Sequence, residues 1–320
     1  MLNLNHEICE SGSRIAVAGH VHPDGDCIGS CTGLFLYIKA LCPDREVTLF
    51  LEQPTDSLLG ITGGVPFLTE VPADYVPDAL FLCDVSSADR IGVARTLLDQ
   101  AAHTVCIDHH VSNPGIARIN HIEPDASSCA EVLANLMDAD RIDTAIASAL
   151  YAGIIHDSGI FCYRNTSPRT LRTAALLVEK GVPFTDIIEK SFKAETYAQT
   201  RILGHALEKS RLMDNGLVVA SSVSMAEMET YGVTKADLDA IVAQLRLVTG
   251  CEAAVFAYEV DPDVWKFSLR SNHYLDVAAC AVQFGGGGHV RAAGLTLSGT
   301  LTEVMDRVLA AVEASLAEDK

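Results

Sequence analysis

The chain has 320 residues, of which 49% are hydrophobic and 20% charged, and its formal net charge is −19. This composition builds a core, leaves room for two domains and excludes a disordered or fibrous chain. So large an excess of carboxylate repels polyanions at long range, which excludes a generic coat for long nucleic acid, while a short anion captured by a cation site stays compatible with it.

Residues 1–13, MLNLNHEICESGS, lack a basic start followed by an apolar stretch, so no signal peptide is expected. No apolar run approaches the ~20 residues that span a bilayer. The ten cysteines form no C-x-x-C pair and sit mostly in apolar runs, as at Cys83, Cys106, Cys162 and Cys280. They read as free, buried, small hydrophobes in a reducing compartment. The expectation is a cytoplasmic protein with no membrane association.

Short runs apolar on both faces predict buried parallel strands at Ile15–Ala18, Val47–Leu51, Ala79–Cys83 and Thr104–Ile107. Helices are predicted at Gly29–Leu41, Ile91–Ala101 and Ser127–Asp138. This βαβ rhythm predicts a doubly wound, mostly parallel α/β domain. Asp143–His156 reads as a largely buried helix that delivers Asp157. The stretch DSGIFCYRNTSP reads as a loop, and Pro168 opens a helix ending near Gly181. Helical pattern continues from Phe184 to about Ser210.

The expected organisation is a catalytic domain over residues 1–190, a linker helix over 191–210 and a smaller α/β domain over 211–320. In the last, Asp214-Asn215-Gly216 marks a turn between two short strands. A helix at Lys235–Leu247 follows, then strands at Ala253–Val260 and Val264–Leu269 around a proline turn, and a helix at Asp276–Phe284. The glycine run Gly285–Gly288, a short strand and a closing helix from Thr302 complete the chain.

Ligands of doubly wound folds gather at the carboxyl ends of the strands. Three of the four predicted strands of the first domain end in candidate ligands: His20, Asp24 and Asp26; then Asp84; then Asp108, His109 and His110. Imidazole nitrogen and carboxylate oxygen suit hard divalent ions such as Mn²⁺ or Mg²⁺. The expected arrangement places His20 and Asp24 on one ion and Asp26 on a second. Asp84 would bridge the two, and His109 and Asp157 would complete the second. Two such ions about 3.5–4 Å apart would activate a hydroxide to attack phosphorus and would stabilise the leaving oxygen. His110 is left to meet the substrate or assist the leaving group, and Asp108 to orient a neighbouring imidazole. Singly, each residue has a plainer role: a strand-end Asp often caps a helix or turn, and a His pair often faces solvent. The right residue types at successive strand ends favour the metal site. His22 is set aside as structural.

In the second domain, glycines at Gly286, Gly287 and Gly288 let backbone approach a phosphate closely, and successive N–H groups can form an anion nest. His289 and Arg291 can add donors. Arg270, followed by Ser271 at a strand end, offers a cation for a terminal phosphate. The plainer alternative is a tight glycine turn with Arg270 on the surface.

The residues His20-Val21-His22-Pro23-Asp24-Gly25-Asp26, the lone Asp84, the triplet Asp108-His109-His110 and Asp157-Ser158-Gly159 are similar to the four motifs of the DHH phosphoesterases. The resemblance implies a di-manganese (or magnesium) hydrolase with His20, Asp24, Asp26, Asp84, His109 and Asp157 as ligands and His110 at the substrate phosphate. Gly286-Gly287-Gly288-His289, followed by Ala292-Ala293-Gly294, resembles the signature of the DHH-associated C-terminal domain. The resemblance runs from Arg14 to the last helix. His22 departs from it, since a neutral residue is frequent there. The 320 residues read as a compact two-domain form, with neither the sensor and membrane segments of longer cyclic-dinucleotide phosphodiesterases nor the extra domains of RecJ-type exonucleases expected.

The compact two-domain form looks like the bifunctional oligoribonuclease and pAp-phosphatase group. That likeness implies short 5′-phosphorylated RNA, linear dinucleotides such as pApA or pGpG, and pAp as substrates. The second domain would grip the far end of the substrate, a closed end there would favour lengths of about two to four nucleotides, and so acidic a chain fits such a limit. A family II-like inorganic pyrophosphatase is the first alternative, for which Arg270 and Arg291 make a thin cation cluster. A cyclic-dinucleotide phosphodiesterase and a non-catalytic nucleotide sensor are the others. Oligomeric state, a homodimer included, is left open by the sequence.

Overall fold

Apolar runs too short for helices and apolar on both faces become strands here, each burying alternate side chains on opposite sides of a sheet. A computed structural model describes residues 2–193 and 195–318. The chain divides into two units, residues 1–194 and 195–320.

The first unit opens with α1 (Leu4–Glu10), β1 (Arg14–Ala18), α2 (Gly25–Leu41) and β2 (Glu46–Phe50). It continues through the single turn α3 (Asp56–Leu59), β3 (Ala79–Cys83), the single turn α4 (Leu97–Gln100), β4 (His103–Asp108) and β5 (Ile119–Ile122). Helices α5 (Cys129–Leu136), α6 (Thr144–Asp157), α7 (Pro168–Glu179) and α8 (Phe184–Ile188) follow, with a π-helical turn at Glu189–Lys193. The sheet order is β2-β1-β3-β4-β5, with every pairing parallel. Strand order therefore reverses between β1 and β3, where crossovers leave a crevice at the carboxyl ends. Ala18 lies beside Leu82, and Cys83 beside Ile107, so β1, β3 and β4 end level with one another.

In β1, Ile15 and Val17 join a core under α2, α5 and α6, whereas Ala16 and Ala18 join a core on the other face. The expected helix Ile91–Ala101 is reduced to α4. Its first residues are taken by a non-local pairing: Ile91 bridges His20, Val21 N–H donates to Arg90 O at 2.8 Å, and Gly92 N–H donates to Gly19 O at 3.2 Å. This strap holds the turn after β1.

Helices α2 and α6 pack antiparallel through a ladder of glycines. A Cβ on Gly25 would stand 2.2 Å from the His156 ring, one on Gly29 2.4 Å from Ala149 O, and one on Gly33 2.7 Å from Leu150 Cδ2. The N-terminus of α2 thereby meets the C-terminus of α6, which brings Asp24 and Asp26 towards Asp157.

The second unit contains α9 (Tyr197–Glu208), β6 (Arg211–Met213), β7 (Val218–Val223), α10 (Met225–Tyr231), α11 (Asp239–Leu245), β8 (Ala253–Asp261), β9 (Val264–Ser271), α12 (Val277–Val282), β10 (Gly287–His289), β11 (Ala292–Ser298) and α13 (Leu301–Glu318). The helical pattern expected from Phe184 to Ser210 is interrupted. Thr196 caps α9 in a capping box with Gln199, and Ile202 and Ala206 of α9 are buried in the second unit's core. The sheet order is β10-β11-β9-β8-β7-β6, antiparallel except for the β7–β8 pair. Ala253, Val255 and Ala257 face α12 and α13, and Ala254, Phe256 and Tyr258 face α9 to α11.

All ten cysteines are free, and Cys162 is exposed where its apolar neighbours suggested burial. Among the described residues, no helix is long and apolar enough to cross a membrane.

Candidate active site

The ends of β1, β3 and β4 deliver His20, Asp84 and the Asp108-His109-His110 triplet to one place. His20 is buried, and its Nδ1 meets Val21 O at 2.8 Å. With the proton on Nδ1, the lone pair is on Nε2, which stands 3.4 Å from Asp84 Oδ2 and 3.7 Å from Asp24 Oδ1. Asp24 caps α2, its Oδ1 accepting from Asp26 N–H and Cys27 N–H, and this same oxygen is the one that approaches His20. Asp84 adopts φ +59°, a left-handed conformation that Asp tolerates better than most residues. That turn aims a buried carboxylate back over the strand ends.

His109 is the meeting point. Its Nδ1 faces Ala126 O at 3.3 Å, and its Nε2 stands 3.3 Å from Asp157 Oδ2, 3.5 Å from Asp84 Oδ1 and 3.9 Å from Asp26 Oδ2. Asp26 is fixed from behind: Cys129 N–H donates to Oδ2 at 2.7 Å, and Ala130 N–H and Ser30 Oγ donate to Oδ1. Asp157 ends α6, followed by left-handed backbone at Gly159, Ile160 and Phe161, and Asn165 Nδ2 donates to its carbonyl at 3.0 Å. His110 Nδ1 is 2.8 Å from Asp108 Oδ1, and its side chain is 39% exposed, enough for a substrate to reach.

The electrostatics are those of crowded carboxylates. Burial pushes Asp26 above the usual carboxylate range, with Asp84 and Asp157 adding to it. Burial together with Asp84 and Asp24 lifts Asp157 to about 6, against the pull of His109. Burial opposes ionisation of Asp84 too, but His109 and His20 outweigh it and hold this carboxyl well below its usual range. Burial likewise disfavours the charged form of His109, yet Asp84, Asp26 and Asp157 push it up to about 10. His20 is raised in the same way by Asp24 and Asp84.

One further atom tests whether a cation fits. Asp84 Oδ1 is buried and accepts no hydrogen bond, although two imidazole nitrogens stand 3.5 Å from it. An orphaned carboxylate oxygen between imidazoles is costly unless a cation satisfies it. Three sets of ligand atoms each lie within 4.8 Å of one another: His20, Cys27 and Asp84; Asp84, His109 and His110; Asp26, His109 and Asp157. Asp84 belongs to two of them. His, Asp and Asp donors fit hard divalent ions.

Sequence reasoning missed Asn113, whose Nδ2 donates to Asp108 Oδ2 at 2.7 Å and to Val85 O at 2.9 Å. It missed the Arg90–Gly92 strap as well. His22 stands apart from the cluster, with φ +52° and an exposed side chain, its N–H held by Glu52 Oε2 at 2.8 Å.

In the second unit, Gly287, Gly288 and His289 form the exposed edge strand β10. Gly286 is required by close packing, since a Cβ there would stand 2.3 Å from Gly294 O. Arg270 Nη1 donates to Leu269 O at 3.0 Å. Ser271 differs from its expected substrate role: it is buried, and its hydroxyl donates to Leu275 O at 2.7 Å. Arg291 is likewise drawn inward, to the carbonyls of Leu275 and His273.

Residues 14–154 match the DHH family, N-terminal domain, and residues 215–318 match the DHHA1 domain. The chain is 31% identical over 306 residues to the bifunctional oligoribonuclease and PAP phosphatase NrnA of Thermus thermophilus, an alignment covering 94% of this chain and 90% of that one. The chain belongs to the DHH family. The NrnA of Bacillus subtilis is 26% identical over 302 residues, with 92% of each chain covered. In fold, the DHH and DHHA1 units match an exopolyphosphatase-related protein from Bacteroides fragilis with a TM-score of 0.86 at 24% identity, covering 97% of this chain and 94% of that one. This DHH protein is a hydrolase of the phosphoesterase type that acts on nucleotides or oligonucleotides.

Proposed function

We propose that this DHH protein hydrolyses short 5′-phosphorylated oligonucleotides and linear dinucleotides to mononucleotides, and removes the 3′-phosphate of pAp. The observation that carries this reading is the convergence of Asp26, Asp84 and Asp157 on His109 Nε2, beside an Asp84 oxygen with no hydrogen bond. Alignment over 94% of the chain with an oligoribonuclease and PAP phosphatase supports the substrate class.

His20, Asp24 and Asp84 would hold one divalent ion, and Asp26, Asp84, His109 and Asp157 a second. Mn²⁺ is the ion we favour, because imidazole nitrogen contributes to both donor sets. When bound, such ions supply Lewis acidity and bring the ionisation of water towards neutral pH. The chain's own groups do the rest. The bonds to Val21 O and Ala126 O fix the orientation of His20 and His109 and present Nε2 of each to the site. Asp108 holds His110 through Nδ1 and raises its proton affinity, so Nε2–H is offered to a phosphate oxygen or a leaving oxygen. Arg270 and the strand Gly287–His289, with Gly286 before it, are the groups we assign to gripping the rest of the substrate.

The test is a time course in Mn²⁺ with 5′-labelled RNA of two and of about twenty-four nucleotides, long enough to engage many phosphate contacts where a protein offers them. Fast loss of the dinucleotide with slow loss of the long strand is expected, together with phosphate release from pAp. Equal rates on both lengths would make the enzyme a general exonuclease. Turnover of pyrophosphate or a cyclic dinucleotide alone would overturn the reading.

A further inference from the structure

Nothing in the scheme above uses Cys27, yet its sulfur lies with His20 and Asp84 in a set of ligand atoms within 4.8 Å of one another. Cys27 is wholly buried in the first turn of α2. Its Sγ accepts the His20 backbone N–H at 3.3 Å. Gly19 makes room for it, because a Cβ there would stand 2.2 Å from that sulfur. Asp84 is buried beside it, its Oδ2 standing 3.4 Å from His20 Nε2. A thiol, an imidazole and a carboxylate in one buried group form a donor set for borderline and soft ions, whereas Mg²⁺ and Mn²⁺ gain little from sulfur.

We propose that Cys27 is a specificity-determining ligand that lets the site beside β1 capture thiophilic divalent ions, Zn²⁺ or Co²⁺, through Cys27, His20 and Asp84. On capture the Cys27 S–H bond breaks, a sulfur–metal bond forms and the proton goes to solvent; no electrons change hands. This rests on the metal-site reading above, because two of its three ligands are shared with it. A thiophilic ion held this way competes with the hard ion for His20 and Asp84.

The experiment is a titration of the metal-free full chain with Co²⁺, followed by its visible d–d bands and its near-ultraviolet thiolate charge-transfer band. The wild type should show both. Cys27→Ser, which keeps an acceptor for the His20 N–H, should lose the charge-transfer band and about tenfold or more in Zn²⁺ affinity. Mn²⁺ binding followed by electron paramagnetic resonance should be unchanged in this variant. Cys31→Ser and Cys83→Ser should keep the charge-transfer band. Bands of d–d type without a thiolate band in the wild type would sink the Cys27 proposal and leave the metal site standing. No Co²⁺ bands and no Mn²⁺ binding would sink both. A thiolate band that survives in both Cys27→Ser and Cys27→Ala would assign the sulfur elsewhere. The wild-type spectrum decides the matter even where a variant does not fold.

Discussion

Asp108 Oδ1 stands 2.8 Å from His110 Nδ1, while Asn113 Nδ2 holds the other oxygen of the same carboxylate at 2.7 Å. The carboxylate is fully buried at the end of β4, so its direction is set by the strand and by Asn113. His110 is raised chiefly by this bond to Asp108, against partial burial. Asp108→Asn should therefore lower the His110 pKa. If the protonated imidazole serves the phosphate, the alkaline limb of the kcat profile should move to lower pH, with kcat down roughly 10- to 100-fold. His110→Ala should cost more, about 10²–10⁴-fold. A pH–rate profile on a dinucleotide reads both, and an unmoved alkaline limb in Asp108→Asn would remove His110 as the titrating group.

The convergence of the strand-end His and Asp residues was legible in the sequence because short apolar runs ending in His or Asp are informative: nothing in a core wants those residues there. The rest was hidden for identifiable reasons. Ile91–Ala101 carries a helical apolar pattern, but the strap to Gly19–Val21 is a pairing between residues some seventy apart in the chain, which local pattern does not encode. Strand β5 contains Asn120 and His121 and so lacks an apolar signature. Ser271 follows an apolar alternation that ends at Leu269, and only the fold shows its hydroxyl turning inward to Leu275 O. Gly25, Gly29 and Gly33 stood in plain view at a spacing of four. Their meaning, a groove for α6, needs the partner helix to be known.

That groove gives a paired prediction. A methyl at Gly29 meets backbone on α6, Ala149 O at 2.4 Å and Gly153 N at 2.8 Å. Backbone cannot swing aside as a side chain can, so Gly29→Ala should destabilise by about 1–3 kcal/mol. It should also weaken Mn²⁺ binding, because α2 carries Asp24 and Asp26 and α6 carries Asp157. Gly204, in the exposed face of α9, has nothing within 4 Å of its would-be Cβ. Gly204→Ala should stabilise by up to about 1 kcal/mol and leave metal binding untouched. Thermal unfolding and Mn²⁺ titration of the two variants side by side check the contrast. A Gly29→Ala protein as stable as wild type would mean that the helices are not held at this distance.

In the second unit, Glu227 binds His205 Nε2 at 2.7 Å, Lys209 Nζ and, through its other oxygen, the Ser224 N–H. Burial raises its pKa, but these partners outweigh it and bring it down to about 2. A carboxyl depressed in the folded state contributes stability above its unfolded pKa, near 4.5, and the contribution is lost as pH falls through about 2. Glu227→Gln should therefore cost about 1–3 kcal/mol at neutral pH and flatten the acid limb between these values. The sole tryptophan, Trp265, is buried in this unit, so its fluorescence during denaturant unfolding at pH 7 and pH 3 reports the unit directly. Equal losses at both pH values would place the stabilisation elsewhere.

Metal affinity should itself titrate, with a sign set by the site. In the metal-free protein the carboxylates hold His109 protonated up to about pH 10, and Asp157 is protonated below about 6. A cation must displace both protons, because the imidazole and the carboxylate bind metal only when deprotonated. Apparent Mn²⁺ affinity should therefore rise with pH, most steeply below about 6 where both groups carry protons. It should keep rising through neutral pH, where His109 and His20, both raised by the neighbouring carboxylates, must still give up their protons. Calorimetry in buffers of different ionisation enthalpy counts the protons released. His109→Gln should bind Mn²⁺ more weakly and have a shallower slope above pH 6, where His20 still releases a proton, while Asp157→Asn should lose the extra steepness below it. A pH-independent affinity between 5 and 8 would show that neither group competes with the ion, and would take both out of the ligand set.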